Sequence, residues 1–284
     1  MRMARAIVLA LLVAAHIAAV RAQQAPTFSS RIDAIRVDVL VTAGNAPVRG
    51  LGPADFEIRD NGVLQQVDLV SFEQIPLNVI LALDMSDSVA GDRLGRLRAA
   101  GTAILDGLKT GDQAALVTFS HVVRLAAKLS TDIGSVHTAL LRAGGDGSTS
   151  LVDGVYTGMQ VGSSDAGREL LVVFSDGLDT ASWLPADKVL DAAKRTDAVA
   201  YAVAVRSRAK PEFLSDLASL TGGRLFEVEK TERLDSIFLD ILKEFRERYL
   251  VSYTPRGVAK EGWHKLDVRV KRGGTVKARP GYQS

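Results

Sequence analysis

The feature that most constrains this chain is an alternation of short apolar runs with segments of helical spacing, from Leu77 to about Tyr249. The run LLVVF at 170–174 contains no polar residue, and the run from Leu77 to Leu83 contains only Asn78. Strands of this kind are buried on both faces, and parallel strands need a long, usually helical, connection. The pattern therefore predicts an α/β fold with a doubly wound, mainly parallel, six-stranded sheet flanked by helices.

Both ends of the chain show the two-residue period of strands with one buried face. This period is nearly regular from Ile35 to Val41 and regular from Leu266 to Val270. Asn61-Gly62 predicts a tight hairpin turn, and we expect the return strand to continue through Val67 to Ser71.

Neither terminal region predicts enough strands to be stable alone, because an isolated hairpin is marginal in water. We therefore expect residues 29–75 and 249–284 to pair into one small β-sandwich, with the α/β domain at 77–248 inserted between them. The alternative is two separate β additions to the domain.

The N-terminus has the layout of a secretory signal peptide covering residues 1–22. Arg2 and Arg5 precede an apolar stretch from Ala6 to Val20, and small residues end that stretch. An uncleaved anchor is the alternative, although the stretch is short for the ~20 residues that span a bilayer. We expect a secreted or periplasmic protein whose mature form has no stable membrane span.

Charge and cysteine content exclude several classes of function. The chain has 35 basic and 33 acidic residues, and cleavage after Ala22 removes three arginines, which leaves 32 basic residues and a formal charge of −1. No basic stripe then favours nucleic acid as a partner. Because the chain contains no cysteine, it has neither disulfides nor a thiolate metal site.

Hard oxygen donors follow the predicted strands of the central sheet. Asp84, Ser86 and Ser88 come directly after the first strand, Thr149 precedes a helix, and Asp176 follows the most apolar strand. The carboxyl ends of parallel strands lie at one sheet edge, where Asp84 and Asp176 would repel each other unless a cation lay between them. The donors suit Mg²⁺, or another hard divalent ion such as Mn²⁺ or Ca²⁺.

This arrangement resembles the metal-ion-dependent adhesion site of von Willebrand factor A domains. The matching residues are the Asp-x-Ser-x-Ser of 84, 86 and 88, then Thr149, then Asp176 in Ser-Asp-Gly. The stretches VRGLGPADFEIRDNG, YLVSYTP and VKARPGY also resemble a bacterial group of secreted proteins with a related domain.

The resemblance implies a division of labour among the five residues. Ser86 and Ser88 would contact the ion directly, Thr149 directly or through water, and Asp84 and Asp176 mainly through water. One coordination position would remain for an Asp or Glu of a protein ligand, so the implied function is binding without bond chemistry. The implied class of protein is a secreted interaction module.

Other interpretations of these residues stay open at this level. The two serines could only cap the following helix while Asp84 caps a turn. The motif could also belong to a structural module of an envelope assembly that engages no ligand. An enzyme is not expected, because Gly-x-Ser-x-Gly, a His-x-x-x-His zinc pair and a phosphate-loop lysine are absent from the sequence.

Several neighbouring residues have two possible roles. Asp92 could support a second ion or start a helix, and Asp153 could hold the Thr149 loop or lie on a solvated helix face. Asp179 could border the site or make a turn. Trp183 and Leu184 could contact a partner or be buried under their loop. We expect Asp87 and Asp146 to face solvent.

Overall fold

The structure is a computed structural model that describes residues 34–72, 75–162, 167–175, 178–206 and 210–284. The predicted signal peptide at 1–22 and the predicted ligand Asp176 lie outside these residues. The strands are Ile35–Ala43 (β1), Ala46–Pro47 (β2), Phe56–Asp60 (β3), Val63–Gln65 (β4), Val67–Phe72 (β5), Leu77–Asp84 (β6), Gln113–Phe119 (β7), Val123–Ser130 (β8), Arg168–Ser175 (β9), Val199–Val205 (β10), Arg224–Val228 (β11), Tyr249–Tyr253 (β12), Trp263–Val270 (β13), Thr275–Lys277 (β14) and Gly281–Gln283 (β15).

Helices connect the strands of the central region. They are Asp92–Asp106 (α1), Ile133–Arg142 (α2), Leu151–Gly162 (α3), Ala186–Ala193 (α4), Glu212–Thr221 (α5) and Leu234–Arg246 (α6), with short 3-10 turns at Pro53–Asp55, Asp87–Val89 and Thr231–Arg233. Within the described ranges, no helix has the length and apolar character needed to cross a membrane.

The central sheet of the described chain has six strands in the order β11-β10-β9-β6-β7-β8. All neighbours are parallel except β8, which runs antiparallel to β7. Strands β6 and β9 are buried along their whole length, as their apolar sequences predict. The predicted doubly wound α/β fold is therefore confirmed.

Helices cover the sheet on both faces. One apolar layer joins the sheet to α1, α2 and α6, and the other joins it to α3, α4 and α5. From β6 the chain proceeds to β7 on one side and later crosses to β9 on the other, so the order reverses between β6 and β9. Ligands of open α/β sheets bind beyond the carboxyl ends of strands at such a reversal.

The chain ends form the predicted β-sandwich. One sheet has the order β14-β1-β12-β5, with β2 paired to β1, and the other has the order β15-β13-β3-β4. Val37 of β1 lies opposite Val251 of β12, so residues more than two hundred positions apart share one ladder. Their apolar faces enclose a core that includes Val39, Ile58 and Tyr253.

The hairpin at Asn61-Gly62 forms as expected, but its return strand is shorter than predicted. Both turn residues have positive φ, 46° and 84°, as a two-residue hairpin turn requires. The return strand β4 ends at Gln65, and β5 pairs instead with β12 in the other sheet. The prediction that Val67 to Ser71 continue the return strand was wrong.

Candidate metal centre

The first candidate residue, Asp84, ends the fully buried central strand β6. Its side chain has no exposed surface, and its two carboxylate oxygens are both used. Oδ1 accepts the backbone N–H of Ser86 at 2.9 Å, and Oδ2 accepts the hydroxyl of Ser175 at 2.7 Å. Asp84 therefore fixes the start of the loop after β6 and ties it to the end of β9.

The hydroxyls of Ser86 and Ser88 lie together directly after this strand. Their Oγ atoms are 3.0 Å apart, Ser86 is buried and Ser88 is exposed. Two hydroxyl oxygens at this separation, beside a carboxylate, form a hard donor set suited to Mg²⁺ or Ca²⁺. The pair therefore presents oxygen donors from the sheet edge toward solvent.

Helix capping does not account for Ser86. Ser86 precedes the 3-10 turn Asp87–Val89 without a side-chain capping bond, and α1 begins after Gly91, also without one. Asp84 does hold a turn, through the N–H of Ser86. Capping thus accounts for one of the two bonds of Asp84. It does not account for the position of the Ser86 hydroxyl.

The loop that carries Thr149 packs directly on the loop after β6. Asp146 N–H donates to the carbonyl of Met85 at 2.8 Å, and Asp87 N–H donates to that of Gly147 at 3.0 Å. A Cβ at Gly145 would lie 3.2 Å from the Ser86 carbonyl oxygen, so the absence of a side chain allows this approach. Two of the three predicted loops therefore meet at one sheet edge.

Thr149 itself is buried and held by the loop that follows β9. Its N–H donates to the Thr180 hydroxyl at 3.1 Å, and its carbonyl accepts the N–H groups of Thr180 and Ala181. The third predicted loop starts at Asp176, outside the described residues, but its preceding residue Ser175 is bonded to Asp84.

The neighbouring acidic residues have structural roles or face solvent. Asp153 accepts the N–H groups of Trp183 and Leu184, both at 2.9 Å. Asp179 accepts the N–H of Val152 at the start of α3. The remaining acids, whose side chains are exposed, are Asp87, Asp92 and Asp146.

Sequence analysis missed two hydroxyl groups of this region, Ser175 and Thr180. Ser175 stands at the end of an apolar strand, which is the signal that could have identified it. Across the described ranges, no group of three or more His, Asp or Glu side chains could hold a metal. The candidate centre accordingly depends on hydroxyls as well as carboxylates.

Comparison with known proteins supports this description of the fold. Residues 78–240, more than half of the chain, match the family model for the von Willebrand factor type A domain. A search among curated protein sequences found no match.

Solved structures with this fold come from varied organisms. A von Willebrand factor type A protein from Catenulispora acidiphila is 13% identical, with a TM-score of 0.57 over 86% of this chain and 76% of that chain. Proximal thread matrix protein 1 from the mussel byssus, described with a zinc-occupied MIDAS motif, is 14% identical, with a TM-score of 0.55 over 66% of this chain and 49% of that chain. The von Willebrand factor domain of the type V pili tip protein Mfa5 from Porphyromonas gingivalis is 12% identical, with a TM-score of 0.51 over 66% of this chain and 98% of that chain.

Proposed function

Because the chain belongs to the von Willebrand factor type A domain family, we propose that it is an exported module that binds an acidic group of a protein ligand through a divalent cation. Domains of this family are generally protein-interaction modules rather than enzymes. The observation that carries the proposal is the Ser86–Ser88 hydroxyl pair beside the buried Asp84 carboxylate.

The donor set fits a hard divalent ion such as Mg²⁺, Mn²⁺ or Ca²⁺. Asp84, Ser86, Ser88, Thr149 and Asp176 would hold it. When bound, the cation supplies a positive centre with a coordination position that accepts an Asp or Glu oxygen of the partner. The serine hydroxyls are neutral, so they orient this face without cancelling its positive charge.

Two observations support export and a role at a surface. Residues 1–22 have the layout of a signal peptide. The structurally similar Mfa5 domain is described as part of a pilus tip protein. We therefore place the mature chain in the periplasm or outside the cell.

The test is a pull-down from envelope extract with immobilised protein, in Mg²⁺ buffer with and without EDTA. We expect a partner that EDTA releases and Mg²⁺ restores. Ser88→Ala should lose this partner, because one donor is removed at an exposed position. Ser219→Ala, at an exposed position of α5, is the matched control and should behave as wild type.

Partner binding that persists in EDTA and in Ser88→Ala would contradict the proposal. That outcome would instead favour a structural module of an envelope assembly.

A further inference from the structure

A groove with several exposed apolar side chains lies next to the loop that carries Thr149. It has a volume of about 390 Å³ and is bordered by the turn between β7 and β8, by α3 and by the loop before α4. We call it the Trp183 groove, and the lining residues used here are Val122, Ser150, Asp153, Tyr156, Trp183 and Leu184.

Trp183 is held in an exposed position. Its side chain is 93% exposed, although Trp is usually highly buried. Its N–H and that of Leu184 donate to the two oxygens of Asp153 on α3. The N–H of Asp153 in turn donates to the Ser182 hydroxyl at 3.2 Å. The indole ring therefore projects from a loop that is bonded to a helix.

The groove adjoins the loop that carries Thr149, one of the proposed metal ligands. Thr149, a proposed ligand, is bonded through its N–H and carbonyl to Thr180 and Ala181 of the same loop. Ser150, the next residue, lines the groove. A ligand chain with a carboxylate at the centre would place its adjacent residues near this groove.

The chemistry of the walls favours an uncharged occupant. Val122, Tyr156, Trp183 and Leu184 all expose more than a third of their surface, so an apolar insert would bury apolar area here. The only carboxylate among the described lining residues is Asp153, and both of its oxygens accept backbone N–H groups.

From this proximity to the Thr149 loop and from this chemistry, we infer that the Trp183 groove receives an aliphatic or aromatic side chain adjacent to the acidic residue at the metal. The partner is then an extended acidic segment with an apolar residue beside the acid. This inference rests on the proposed function, since it assumes that the metal fixes the acid.

The experiment measures binding of synthetic peptides that contain X-Asp-X at their centre, where X is Ala, Leu, Phe or Lys. In Mg²⁺, the Leu and Phe peptides should bind about tenfold more tightly than the Ala peptide. Trp183→Ala should lose this preference and keep Mg²⁺-dependent binding of the Ala peptide. Leu64→Ala, which removes an exposed apolar side chain of β4, is the matched control and should keep the preference.

A second measurement reports the groove directly. The sequence has two tryptophans, so Trp263→Phe leaves Trp183 as the sole tryptophan. The Leu peptide should shift the emission of Trp183 to shorter wavelength in Mg²⁺, and the Ala peptide should not.

The two proposals fail in different ways. If peptide binding persists in EDTA and in Ser88→Ala, the metal-dependent function is wrong. If binding requires Mg²⁺ but Trp183→Ala keeps the Leu and Phe preference, the groove inference alone is wrong. Tighter binding of the Lys peptide, or no binding of any peptide in Mg²⁺, would also overturn the groove inference.

Discussion

At the scale of single residues, Asp84 organises the candidate metal centre. Its carboxylate accepts hydrogen bonds from Ser86, in the loop after β6, and from Ser175, at the end of β9. The local motif Asp-x-Ser-x-Ser is visible in the sequence because its members are two residues apart. The contribution of Ser175 is not visible, since 91 positions separate it from Asp84 and only the pairing of β6 with β9 brings them together.

Glu169 gives a prediction of pH dependence, although it lies outside the candidate centre. Burial, followed by the nearby Asp197 carboxylate, raises the pKa of Glu169 from 4.5 to about 7. Between pH 4.5 and about 7 the folded chain therefore keeps a proton that the unfolded chain loses. The resulting contribution to the free energy of unfolding decreases by about 3 kcal/mol as pH rises through this window.

The prediction is tested with Glu169→Gln, which is neutral at every pH. Urea denaturation should show that this variant gains stability relative to wild type as pH rises from 4.5 to 7. Glu227→Gln, at an exposed position of β11, controls for the loss of a carboxylate. If the free energies of unfolding of wild type and Glu169→Gln changed in parallel with pH, Glu169 would not be the source of the pH dependence.

At the scale of elements, glycines on α3 set how closely this helix approaches the sheet. A Cβ at Gly154 would lie 2.4 Å from the Phe119 ring, and one at Gly158 would lie 2.8 Å from Leu171. Since Thr149 lies just before α3, this close packing also determines where Thr149 lies at the sheet edge.

We therefore expect Gly154→Ala to destabilise the protein. The overpacking cost of about 1–3 kcal/mol should exceed the roughly 1 kcal/mol gained in helix propensity, because the new Cβ would lie 2.4 Å from the rigid Phe119 ring. Gly95→Ala on α1 is the matched control, because its Cβ would meet no atom within 4 Å. Thermal unfolding should show a lower midpoint for Gly154→Ala and a higher one for Gly95→Ala. A stabilised Gly154→Ala would contradict the close packing.

Periodicity predicted most elements, and long-range contacts explain what it missed. The alternation of apolar runs with helical spacing predicted the six-stranded sheet and its helices, because these elements have strong local patterns. At the end of β4, the Gln65 side chain accepts the N–H of Arg256 and donates to its carbonyl. Such a contact, 191 positions apart, has no local signature.

At the scale of the whole molecule, buried arginines join the sandwich to the central sheet. Arg168, at the start of β9, is bonded to Asp38 of β1, and both side chains are buried. Arg248, which is fully buried, donates to the carbonyl of Asp38 in β1 at 3.4 Å and to the Tyr201 hydroxyl in β10 at 3.0 Å. We propose that the domain at 77–248 folds together with the flanking strands.

Removing one partner of the buried Arg168–Asp38 pair tests this contact between the sandwich and the central sheet. Arg168→Ala should lower the free energy of unfolding by about 3–5 kcal/mol, because Asp38 would remain as an uncompensated buried charge. Arg269→Ala, which removes an exposed pair with Asp267, should change it far less, because solvent screens exposed ion pairs. Urea denaturation measures both, and equal effects would contradict the role assigned to Arg168.

We propose that oxygens from three loops hold one hard divalent ion at the end of β6. Anomalous X-ray scattering from crystals soaked in MnCl₂ tests it most directly. We predict a manganese peak within about 2.0–2.6 Å of the Ser86 and Ser88 Oγ atoms, the range of oxygen ligands around Mg²⁺ and Ca²⁺. The peak should disappear in Ser88→Ala and persist in Ser219→Ala. A wild-type crystal without a peak at this position would contradict the account.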